Sequence, residues 1–263
     1  MFGFLKPKNL ISDEDAQFQI ETYKWLLKHY GGDAFFKSAQ LVLPTSEFFP
    51  DQVSTDDEIA LSTFNQVRYY AGMDNWACEL QPQYNDDIDI APTVKLSNLP
   101  ESPAGTFQYQ QNVAIITYHP NLTKQPEKLV ATFAHELSHY LTAHTSEPPF
   151  GGWENWEFAT DITATFLGFG IFMCNSASTF QQFQTADAQG WEYSRTGYLT
   201  EDEHVFALVI FLKLLDLPTQ HAKKFLKSSA AKIIKHAEYQ IDKMNFIAEL
   251  KQIELVNPEI HQT

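Results

Sequence analysis

The stretch FAHELSHYLTAH, residues 133–144, sets two histidines four positions apart with a glutamate directly after the first. Its wider context, PEKLVATFAHELSHYLTAH, starts with Pro126 at a first-turn position and Glu127 beside it, and Leu129, Val130, Phe133, Leu137, Tyr140 and Leu141 recur at helical spacing. The stretch therefore reads as a helix. Positions four apart share one helix face, so His135 and His139 can offer imidazole nitrogens to a single ion, with Glu136 one step round from it. This is the HExxH arrangement, in which the two histidines bind zinc and the glutamate is general base to a water.

A catalytic zinc site needs a third protein ligand and an open fourth position. The extension HExxHxxGxxH is not met, because Thr142 stands where the glycine belongs and His144 falls one residue early. TSEPPFGG, 145–152, must end the helix, since its two prolines and two glycines cannot extend one. WENWEFATDITATFLGFGIFMC then reads as a second helix, apolar almost all round, of the kind found inside a core. Asp161 interrupts it with a carboxylate that would be costly to bury without a partner. The 17 residues between His139 and Glu157 leave room for the chain to turn and run back.

HELSH and EFATD together resemble the gluzincin metallopeptidases, the thermolysin-like branch of the zincins, over residues 135–161. The resemblance implies Glu157 as third zinc ligand, with Glu154 as the competing carboxylate. It also implies Asp161, one turn on, as the acceptor that fixes the tautomer of His135 or His139. In such proteins an extended peptide pairs along an edge strand, here 113–118, and an oxyanion donor comes from further along the chain. WEYSRTGYLTEDEH, 191–204, offers Tyr193, Arg195, Tyr198 and His204 for that part, and Tyr198 and His204 are preferred.

Before this region, DEDAQFQIETYKWLLKHYGG reads as a helix ended by Gly31 and Gly32, and STDDEIALSTFNQVRYYAGM as another, opened by Ser54 or Thr55 with an acidic first turn. AQLVLPTSEFFP suggests a short strand entering a turn, NWACELQ a strand, and TFQYQQNVAIITYHP a hairpin-like pair. After it, Thr200 and Glu203 have capping-box form ahead of the strongly apolar HVFALVIFLKLLDLP, and one or two surface helices follow from Thr219. Four prolines in 81–105 mark a soft boundary. The expected organisation is an N-terminal α/β scaffold region, 1–100, and a zincin-like metallohydrolase region, 101–263, in an α+β protein, either as two parts or as one compact unit.

Composition narrows the function classes. With 44% apolar and 19% charged residues, the 263-residue chain can bury a sizeable core. A formal charge of -15 without a basic cluster argues against nucleic acid as a partner. The opening MFGFLKPKNLISDEDAQ does not read as a signal peptide, and no apolar run approaches about 18 residues, so no membrane role and a cytoplasmic setting are expected. Cys78 and Cys174 lie too far apart in sequence for a CxxC pair and read as two buried thiols. The expectation is thus a Zn2+-dependent hydrolase, a metallopeptidase acting on a peptide or protein substrate. The alternative is a non-catalytic zinc-binding module that uses the same ligands for structure or for a partner, in which Glu136 would be idle.

Overall fold

Helix starts follow the caps written into the chain. The computed structural model describes residues 8–82, 114–143, 145–177 and 198–256, and the backbone alone over 178–184. Helix α1, Asp13–Tyr30, opens with the Ser12 side chain accepting from the Asp15 amide, followed by three acids in the first turn. Gly31 caps it, but Gly32 does not end the helical run: it begins a short helix α2, Gly32–Ser38. Helix α3, Asp56–Tyr70, has a full capping box between Thr55 and Glu58.

Strands β1, Cys78–Pro82, and β2, Ala114–Tyr118, pair in parallel, Cys78 opposite Ala114 and Pro82 opposite Tyr118. The expected hairpin partner of β2 within 106–112 lies outside the described residues, as does most of the expected boundary stretch. The strand anticipated near residue 41 does not form. Leu41 and Val42 are buried, yet the Val42 amide donates to the Gly168 carbonyl at 3.0 Å instead of joining a ladder. Among the described residues the protein is therefore mostly helical with a small two-stranded parallel sheet, an α+β mix.

Helix α4, Pro126–Thr142, carries the HExxH residues and is buried along every face from Leu129 to Thr142. Phe133 illustrates why: its ring meets Phe64 of α3 at 5.2 Å and Tyr118 of β2 at 6.0 Å, both edge-on. Helix α5, Trp156–Ala164, follows after a turn in which Gly151 and Gly152 take φ of +81° and +97°. The second apolar helix is not continuous. A π-helical turn, Thr165–Phe169, separates α5 from α6, Gly170–Gln184, with a kink at Gly168. The remaining helices are α7, Glu201–Leu214, capped as expected by Thr200 and Glu203, then α8, Thr219–Lys223, α9, Ser228–Met244, and α10, Ile247–Leu250. Trp153–Ala177 does have the length and apolarity of a membrane span, and 83% of that apolar window is buried inside the protein.

Two apolar clusters fill the interior. One joins Leu26 and Leu27 of α1 to Phe166, to α7 from Val205 to Leu212, and to Ile234 and Ile241 of α9. The other joins Phe64 and Val67 of α3 to Ile116, Phe133, Leu137, Phe169 and Phe172. Each draws on residues from both sides of the boundary anticipated near residue 100. Cys174 is buried in the first cluster, which pushes its thiol well above the usual range, and Cys78 is half-buried.

The kink at Gly168 is where these layers meet the 39–43 segment. Its φ is +102°, and a Cβ there would lie 2.3 Å from the Gln40 carbonyl oxygen. Substitution Gly168→Ala is therefore expected to cost about 3 kcal/mol of stability, since it adds both an unfavourable φ and a backbone clash. Urea denaturation measures this, and a loss below about 1 kcal/mol would show that the segment yields without strain.

Candidate metal centre

Three side-chain pairs fix how α4 and α5 lie together. Thr142 accepts from the Trp156 indole N–H at 2.8 Å, His139 meets Glu157 at 3.2 Å, and His135 meets Asp161 at 2.9 Å. As the number falls along α4 it rises along α5, so the two helices run antiparallel with one turn in register. The turn between them is clamped from α1: the Trp25 indole donates to the Glu147 carbonyl at 3.2 Å, and Lys28 pairs with the Glu147 carboxylate at 2.6 Å. Tyr30 donates to the Leu141 carbonyl at 3.0 Å and also pairs with the Thr145 hydroxyl.

This register brings three donor atoms to one point. His135 Nε2 and His139 Nε2 are 3.1 Å apart, and Glu157 Oε2 stands 3.2 Å from His139 and 3.5 Å from His135. Nitrogen and oxygen ligands held about 2.0–2.1 Å from a tetrahedral ion are about 3.4 Å from one another, so the spacing already suits a bound metal. The histidines are nearly buried, whereas the Glu157 side chain is 44% exposed, leaving the open side toward solvent. His135, His139 and Glu157 could thus hold a divalent ion. Glu154, the competing carboxylate, is exposed in the preceding turn and belongs to no such cluster among the described residues.

The tautomers are set from behind. Asp161 accepts from His135 Nδ1, which frees Nε2 to be a ligand. Thr160 does the same for His139: its hydroxyl donates to the Trp156 carbonyl at 2.8 Å, so its oxygen accepts from His139 Nδ1 at 3.2 Å. Thr160 has no signal in the sequence beyond lying one turn from Trp156. Asp161 itself is 1% exposed and spends its second oxygen on the Leu199 amide at 2.9 Å, which answers the cost of burying a carboxylate in an apolar helix.

Charge in the centre is uneven. Burial opposes protonation of His135, but its hydrogen bonds to Asp161 and Glu157 outweigh burial and hold its pKa well above the ordinary value. His139 goes the other way, because burial outweighs the attraction of Glu157. Burial would raise Glu157, yet the two histidines hold its carboxyl well below the usual carboxylate range.

Glu136 is buried beside the cluster, and its charge raises the pKa of both His135 and Tyr198. Tyr198 stacks its ring at a tilt 5.5 Å from that of His135. Burial first, and then the charges of Glu157, Glu136 and Asp161, push the phenol far above its ordinary value, so it keeps its proton and stays a donor. His204 is differently placed. It is wholly buried in the first turns of α7, with Nε2 3.7 Å from Asp161 Oδ2. Tyr193 and Arg195 lie outside the described residues, as does His144.

Compared with known proteins, the chain matches no family model, no curated protein and no solved structure.

A raised His135 pKa favours the protonated imidazole in the metal-free centre, and an ion can take Nε2 only once that proton leaves. Binding of a divalent ion at pH 7 is expected to release about one proton per ion, with affinity climbing as pH rises until the proton is gone. Titration calorimetry in buffers of different ionisation heat counts it; no release would mean that His135 is already neutral.

Proposed function

We propose that the protein is a zinc-dependent hydrolase, a metallopeptidase of gluzincin type, with His135, His139 and Glu157 as the zinc ligands. The observation that carries this reading is a three-donor cluster with metal-like spacing and a further acid, Glu136, buried beside it. A centre serving structure alone would need the ligands and would have no use for that acid. Bound zinc would supply a Lewis acid and a water whose pKa falls toward about 7.

The protein's own groups do the rest. Asp161 and Thr160 hold both imidazoles in the tautomer that presents Nε2. Glu136 accepts the proton of the attacking water and returns it to the leaving amine. Tyr198 keeps its hydroxyl protonated and donates to the oxyanion that forms on the scissile carbonyl. Strand β2 packs on α4, and in this reading an extended peptide adds to that sheet by main-chain hydrogen bonds. In this proposal α4, α5 and β2 form a zincin-like unit, and the substrate is a peptide or protein.

Glu136→Gln is expected to bind zinc within about threefold of wild type while peptide hydrolysis drops by about 10³ or more. Product patterns from a diverse peptide library read this directly. Identical patterns for the two proteins, independent of added zinc, would overturn the proposal. Tyr198→Phe should lower kcat about 100-fold with little change in KM, the signature of a donor used only as the oxyanion develops. A rise in KM alone in steady-state kinetics would assign Tyr198 to substrate binding instead.

A further inference from the structure

Behind the centre sits a histidine with unusual surroundings. His204 has no solvent exposure, and among the described residues neither Nδ1 nor Nε2 has a hydrogen-bond partner. Buried polar atoms almost always find one, so an orphaned imidazole calls for a reason. Its Nε2 points at Asp161 Oδ2 from 3.7 Å, just beyond hydrogen-bond range. That oxygen already accepts from the Leu199 amide, and the other carboxylate oxygen accepts from His135 Nδ1. Asp161 is therefore gripped on two sides by α4 and by the start of α7, and His204 closes on it from a third.

The position follows from local structure. Thr200 caps α7, and the His204 amide donates to the Thr200 carbonyl at 2.9 Å, so the ring comes from the first turn and a half of the helix. Beside it, Gln19 of α1 donates to the Glu203 carbonyl at 2.9 Å, and Tyr23 to the Ala207 carbonyl at 2.8 Å, tying this end of α7 to α1. The ring is sealed from solvent. A lone pair aimed at a carboxylate would be repelled, so the facing nitrogen is the one that carries hydrogen.

We propose that His204 is a positioning residue of the metal centre, presenting Nε2–H to Asp161 and so keeping that carboxylate turned toward His135. The inference rests on His135, His139 and Glu157 binding metal, and it assigns His204 no contact with substrate. It replaces the role of oxyanion donor expected from sequence with one exerted through Asp161. Groups behind a metal-bound histidine typically change metal affinity by about 10–100-fold when removed.

The test uses the full chain and zinc alone as probe. His204→Leu should weaken zinc binding at least about 10-fold in competition with a chromophoric chelator. The metal-free variant should still melt in one cooperative transition, so that the affinity loss is read on a folded protein. His204→Gln, which can restore an N–H near the place of Nε2, should recover affinity to within about threefold. Unchanged zinc affinity in His204→Leu overturns the proposal, and so does an equal loss in the Leu and Gln variants, which would point to ring packing. Should either variant fail to fold, nitrogen-15 NMR of the wild-type protein decides: a hydrogen on Nε2 supports the role and a hydrogen on Nδ1 refutes it. A wild-type protein that binds no zinc refutes the centre itself, an outcome distinct from tight wild-type binding that His204→Leu leaves intact.

Discussion

A single buried carboxylate, Asp161, ties the parts of this protein that must agree in position. One oxygen takes the His135 Nδ1 hydrogen from α4 and the other takes the Leu199 amide ahead of α7, so three helices are referenced to one side chain. Placing that charge inside an apolar helix carries a desolvation cost, and the two hydrogen bonds offset it. The same bonds decide the register of α4 against α5. A one-residue rotation of either helix would leave Asp161 and His135 unpaired inside the core and would scatter His139 and Glu157.

Support for that register comes from the opposite end of the sequence. Helix α1 reaches the turn between α4 and α5 through Trp25, Lys28 and Tyr30, and it reaches the start of α7 through Gln19 and Tyr23. The N-terminal helix thereby braces both flanks of the candidate centre. Packing repeats the pattern, since Phe35 near the N-terminus stacks on Phe166 with ring centroids 4.2 Å apart, directly beside the kink. Residues before 100 and after it share both apolar clusters, including the one that contains much of α4.

Much of this was legible before any coordinates, and the reason lies in local physics. Caps at Ser12, Thr55 and Thr200 satisfy orphan amides within their own first turns, so α1, α3 and α7 announce their starts over three or four residues. The cluster was legible because i, i+4 spacing on a helix needs no other part of the chain to set it. Less accessible was the break in the second apolar helix. TATFLGFG shows no proline and only isolated glycines, and the kink exists because Gln40 and Val42 press against Gly168. The same contact explains the missing strand at 41–43, whose amide pairs with the kink instead of with a ladder.

By itself the sequence determined which residue types could meet on one helix face and where most helices begin, because those are properties of neighbours a few positions apart. It also singled out Asp161 as a carboxylate in need of a partner. Only the tertiary structure decided that the partner is His135, that Glu157 and not Glu154 completes the three donors, and that Thr160 orients His139. Tertiary structure likewise set buried His204 with Nε2 3.7 Å from Asp161 Oδ2. Each of these depends on the rotation of one helix against another, which is set by packing between residues far apart in the chain and leaves no periodic trace along it.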